Sequence, residues 1–275
     1  PNSWRSSMIR IRSGATSALD NPQLQKNMSA VIRTALHSRD HSVARVPNWE
    51  TLRQYAHDVK AHTLARLDSY LEQLEERVVE QGGKVVWVED GEEALDFITR
   101  LAHEKGMTKV VKSKTMLGEE IHLNEGLETA HIEPIETDLG EYIIQLAEET
   151  PFHIIAPALH KSRKEVADLF TEKVNMSPTD DVQQITSTAR KVLRAHFLTA
   201  RLGITGVNFG VAETGTLVVV ENEGNARLSA SVPEVHIALM GIEKVIPRAA
   251  DLSVFLKLLT RSATGQKITS YVNFI

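Results

Sequence analysis

The chain has no cysteine. That absence excludes disulfides, thiolate zinc sites, a cysteine nucleophile and iron–sulfur ligation by these residues. Long apolar runs are missing as well, since nothing approaches the roughly 18 to 20 residues of a membrane span. Arg5, Arg10 and Arg12 near the start are not followed by an apolar core, so no secretory signal is read and a cytoplasmic location is expected. Charge of one sign is lacking too. The 31 basic and 36 acidic residues give a formal net charge of -5 and are spread along the chain, which argues against a nucleic-acid footprint, and no DNA or RNA partner is expected. No internal repeat or low-complexity segment is present.

What is there reads as one domain of about 200 residues with an extension. Residues 1–20 are polar and unpatterned, a loose arm. An amphipathic helix follows, with Asn21 as N-cap, Pro22 at the first helical position and Leu24, Met28, Val31, Ile32 and Leu36 on one side. A longer one starts after Pro47, capped by Asn48, carries Leu52, Tyr55, Val59, Leu64, Leu67, Leu71, Leu74 and Val78, and stops at Gly82-Gly83. Residues 1–80 thus form an arm and a helical extension, and residues 81–275 a second unit with a different period. There, β-rich runs at 84–88, 109–113, 131–136 and 152–158 alternate with helical patterns, the signature of βαβ crossovers, so an α/β fold with a largely parallel sheet and flanking helices is expected. Residues 180–203 read as another long helix with Gly203 as its stop. Strands with short connections come next, then a helix and a final apolar run, "KITSYVNFI", on which the sequence reads as cut.

In open α/β sheets, ligands collect beyond the carboxyl ends of the strands, where helix N-termini point their amides. Lys112 and Lys114 flank one such turn and can hold an anion by point charge, or stand as solvated strand-end lysines. Glu136 and Asp138 follow the next strand, with Asp138 reading as a helix cap. His160 can act as acid or base, or be a plain loop histidine. No His, Asp or Glu spacing makes a recognisable metal site. Glu213 sits between small residues beside a Gly-rich turn, where a buried carboxylate needs a partner. The segment "VVVENEGNAR" ends an apolar strand with Glu221, Asn222, Glu223, Asn225 and Arg227 crowded together. The cluster reads as a ligand site, as an ion-pair lock or as a polar hairpin turn. A basic partner for Glu221 is expected from Lys112, Lys114 or Arg227.

"VKSKTMLGEEIHLNEGLE", "ETDLGEYIIQLA", "HIIAPALHKSR", "GVNFGVAETGTLVVVENEGNARL", "PEVHIALMGIEKVIP" and "RSATGQKITSYVNFI" together resemble the lactate utilization protein B family, an iron–sulfur component of bacterial L-lactate oxidation. The match runs in order from about Pro22 to Ile275. The resemblance implies a LUD domain at 81–275, with a fold similar to the sugar-phosphate isomerase and CoA-transferase-like group. It also implies oxidation of L-lactate to pyruvate with other lactate utilization subunits, and electron transport through iron–sulfur clusters on a C-terminal cysteine region that this chain lacks. No cofactor or metal is expected in the chain itself, and its oligomeric state, homo-oligomer included, is open. The first functional reading is a subunit whose crevice binds a small anionic ligand. The alternative is a CoA- or acyl-transferase-like or sugar-phosphate-like enzyme using Glu221 or Glu213, because "VENEG" is similar in setting to the glutamate stretch of CoA transferases. A third reading is a scaffold working through its N-terminal helices. "GVNFG" lacks the following helix of a dinucleotide fingerprint, so an independent dehydrogenase is not indicated.

Overall fold

Aspartate, asparagine and serine caps set where the helices begin. In a computed structural model that describes residue 16, residues 19–152 and residues 156–275, Asn21, Asp90, Asp138, Ser162 and Asp181 each accept a hydrogen bond from a first-turn amide. Such caps satisfy amides that have no intrahelical partner. The helices are α1 (Pro22–Ala44), α2 (Trp49–Leu64), α3 (Leu67–Glu80), α4 (Gly91–Glu104), α5 (Met116–Glu120), α6 (Leu123–Thr129), α7 (Leu139–Leu146), α8 (Arg163–Val174), α9 (Val182–Thr199), α10 (Asn225–Ser231) and α11 (Ala249–Thr264). No described helix is long and apolar enough to cross a membrane.

Among the described residues, eight strands form two four-stranded sheets. The first is wholly parallel, in the order β2 (Glu133–Glu136), β1 (Lys109–Lys112), β3 (Leu202–Gly206), β6 (Val235–Leu239). Val110 and Val111, adjacent on central β1, face opposite ways. Val111 packs with Ile135 of β2 and with Tyr142, Phe170 and Phe197 from α7, α8 and α9, and Val110 with Ile204 of β3 and with Ile98, Leu123 and Leu127 on the side of α4 and α6. Helices on both faces are what a parallel sheet requires. The second sheet is mixed, in the order β7 (Val245–Ile246), β4 (Phe209–Val211), β5 (Thr216–Glu221), β8 (Tyr271–Phe274), and its β4–β5 pair is an antiparallel hairpin, one of the short connections the sequence shows there. Ala56 of α2 and Leu252 and Phe255 of α11 cover Val211, Val218 and Ile246, while Leu74 of α3 packs on Ala212 and Val245. The helical extension is therefore part of the second sheet's core.

Four local expectations are corrected. Residues 84–88 form no strand among the described residues; Val86, Trp87 and Val88 are exposed, and β-branched residues without a neighbouring ladder stay unpaired. The long helix after Asn48 breaks at Ala65–Arg66 into α2 and α3, and the Asn48 side chain makes no capping bond. Gly203 does not stop α9, which ends at Thr199. It lies inside β3, where a side chain would collide with the carbonyl oxygen of Ser229, so glycine lets α10 sit directly on the sheet. The expected arm lies outside the described residues except at Thr16, Leu19 and Asp20, of which Thr16 and Leu19 are helical. The centre of the expected 152–158 strand, residues 153–155, also lies outside them.

Candidate functional site

Parallel register brings the carboxyl ends of β1 and β2 level, pairing Lys112 with Glu136. Both residues are buried, at 1% and 2% exposure, and the Lys112 ammonium contacts Glu136 Oε1. Glu119 of α5 lies 3.7 Å from the same ammonium. Asn124 of α6 donates to Glu136 Oε1 at 2.8 Å, and Gln145 of α7 accepts from the Glu136 amide at 3.0 Å. One turn further, Lys114 stands 3.2 Å from Glu141 Oε1. Burial pushes the Glu141 carboxyl above the usual carboxylate range, and the nearby Glu136 charge adds to that. The third side of the crevice comes from the segment after β5: Glu223 Oε2 accepts from the Leu139 amide at 3.2 Å, and Asn225 Nδ2 reaches Thr137 Oγ1 at 3.5 Å. Asp138 caps α7 through the Glu141 amide at 3.1 Å, as its position after the strand predicted.

The polar cluster of residues 221–227 thus divides. Glu223 and Asn225 face the crevice, whereas Glu221 and Arg227 contact β8 and Asn222 the segment just before it. Glu221 accepts from the amides of Ala226 and Arg227 at 2.7 and 2.9 Å and from Asn273 Nδ2 at 2.7 Å. Asn222 Oδ1 accepts from Thr269 at 3.0 Å and the Ser270 amide at 3.3 Å. The Arg227 guanidinium lies 4.7 Å over the Tyr271 ring. Among the described residues no basic side chain pairs with Glu221, so the partner expected from Lys112, Lys114 or Arg227 is replaced by backbone amides at the start of α10. A carboxylate at that place meets the helix's positive end. Glu221→Gln is expected to lower stability by about 1 kcal/mol, read as a small drop in melting temperature.

Two further candidates lie apart by their contacts. Glu213 is exposed, not buried, and accepts from the Ala249 amide at 2.8 Å, capping α11. It lines a cleft with Tyr55, Arg248 and Asp251. His160 Nε2 lies 2.8 Å from Glu149, which also binds Lys161. The Lys161 and His160 contacts hold the Glu149 carboxyl below its ordinary range. A depressed carboxyl pKa supplies stability that is present above the unfolded value and is lost as pH falls through the folded one. The stability advantage of the native protein over Glu149→Gln is therefore expected to shrink on acidification below about pH 4.5, and denaturant melts at pH 7 and pH 3.5 check this.

Reading strand ends found Lys112, Lys114, Glu223 and Asn225, but missed Glu119, Asn124 and Glu141. Their signal was weak: Glu119 and Asn124 lie on the crossover between β1 and β2, and Glu141 is in the first turn of a helix, where acidic residues are ordinary.

A family model described as LUD domain matches residues 71–275. The chain is 42% identical over 254 residues to the lactate utilization protein B of Oceanobacillus iheyensis, covering 92% of this chain and 53% of that protein. It is 48% identical over 225 residues to the lactate utilization protein B of Bacillus cytotoxicus, covering 82% of this chain and 48% of that protein. The protein of the same name from a Geobacillus species is 45% identical over 242 residues, 87% of this chain and 51% of its own length. The chain spans about half the length of the curated relatives it matches. No solved structure matches it.

Proposed function

This chain belongs to the LUD domain family, and on that premise we propose that it is the LUD module of a lactate utilization protein acting in cytoplasmic oxidation of L-lactate to pyruvate. The observation that carries the reading is the 42–48% identity to proteins named lactate utilization protein B over 82–92% of the chain. In this reading the crevice at the carboxyl ends of β1 and β2 takes a small anionic ligand such as the hydroxy acid, with Lys114 as its cation. Lys114 suits that role better than Lys112, whose ammonium is sealed against Glu136, because the Lys114 ammonium is buried beside Glu141 with no hydrogen-bond partner of its own.

Oxidation of lactate to pyruvate removes two electrons and two protons, so an acceptor is required. The iron–sulfur clusters of the resemblance would accept electrons, but these residues offer no thiolate to hold one. No electron-transfer step is assigned to this chain, and partner subunits or a further region of the protein would supply it. Glu221 and Glu213 cap helices, which leaves nothing in their surroundings to favour a nucleophile.

The test is genetic and chemical together. A bacterium lacking its lactate utilization protein B, supplied with the protein that carries this domain, is expected to regain growth on L-lactate and convert it to pyruvate. Normal accumulation of the protein without recovery of either would overturn the reading.

A further inference from the structure

The crevice contains acceptor oxygens that neither lysine satisfies. One carboxylate oxygen from each of Glu119, Glu136 and Glu141 lies within 4.8 Å of the others. Glu136 is 2% exposed, and its Oε1 is taken by Lys112 and Asn124 while its Oε2 has no hydrogen-bond partner. Asn124 Oδ1, on the side chain whose amide nitrogen binds Glu136, is likewise buried and unpartnered. A buried acceptor left without a donor forfeits the hydration it had in the unfolded chain, so such atoms in a native fold call for an occupant.

Charge points the same way. Lys112 and Lys114 share the crevice with Glu119, Glu136, Glu141, Asp138 and Glu223. Carboxylates outnumber lysines in this cluster. A cation would relieve the repulsion and satisfy the free oxygens at once.

We infer that Glu119, Glu136 and Glu141 form a binding site for a divalent cation of the magnesium, manganese or calcium class. Oxygen separations up to 4.8 Å fit metal–oxygen bonds of about 2.0–2.6 Å. The donor set is wholly oxygen, which selects hard cations over zinc or copper. Lys112 holds Glu136 by Oε1, which leaves Oε2 without a partner, and Lys114 stands 3.2 Å from Glu141 Oε1. The inference concerns this chain's own residues and stands whether or not the lactate reading holds.

Titrating the purified chain with manganese, followed by the electron-paramagnetic signal of free ion, is expected to show one saturable site, with a rise in melting temperature on binding. Glu119→Gln changes a partly exposed side chain, leaves the Lys112–Glu136 pair intact, and is expected to weaken manganese binding by about tenfold or more. Glu149→Gln, a carboxylate outside the crevice, is expected to bind as the native chain does. Glu141→Gln serves as a second probe if Glu119→Gln fails to fold. Absence of saturable manganese binding, or native affinity in both Glu119→Gln and Glu141→Gln, would overturn the site.

Discussion

Glu136→Ala is expected to destabilise the protein by about 3–5 kcal/mol, because it strands a buried ammonium. Lys112 is 1% exposed, and once Glu136 is gone its remaining carboxylate neighbour is Glu119 at 3.7 Å, itself partly in solvent. At about 2–4 °C per kcal/mol for a chain approaching this size, the melting temperature should fall by roughly 10 °C. The double change Lys112→Met with Glu136→Leu should recover most of that loss, since an apolar pair of similar volume escapes the desolvation cost. Thermal and urea melts of the native protein and the two variants decide the matter. A single variant that melts with the native protein would mean the pair does not hold β1 and β2 together.

Removal of residues 1–80 is expected to be more damaging still. It strips α2 and α3 from the second sheet and uncovers Val211, Ala212, Val218, Val245 and Ile246, all at most 1% exposed in the whole chain. A contiguous apolar surface of that kind drives association. The shortened chain should be insoluble, or oligomeric with strong binding of a hydrophobic dye. A monodisperse shortened chain by light scattering would show that the extension is dispensable to the fold.

The alternation of β-rich and helical runs made the parallel first sheet legible, and Asn21 and Asp138 marked helix starts by chemistry that acts within three residues. Features that depend on distant neighbours were not legible. "KVVWV" at 84–88 has strand composition, yet no sheet edge meets it. Gly203 looks like a helix stop until Ser229, on a helix 26 positions later in the 275-residue sequence, is seen lying against it. The candidate site behaves likewise. Strand-end logic marks Lys112 and Lys114, but which carboxylates neutralise them is set by the β1–β2 register and by the placement of α5 and α7. Glu221 has the composition of a reacting group and the geometry of a helix cap, a distinction that rests on where the Ala226 and Arg227 amides fall.

Lactate-dependent growth of a strain whose lactate utilization protein B carries Lys114→Gln tests the central claim most directly, that the crevice beyond β1 and β2 serves lactate utilization. Lys114 lies outside the buried Lys112–Glu136 pair, and burial pushes its own partner Glu141 towards the neutral form, which an amide at 114 can hydrogen-bond, so the variant should fold and accumulate. The account predicts a loss of growth on L-lactate, with growth on glucose and the protein's melting temperature little changed. Native growth on L-lactate at native protein levels would contradict it.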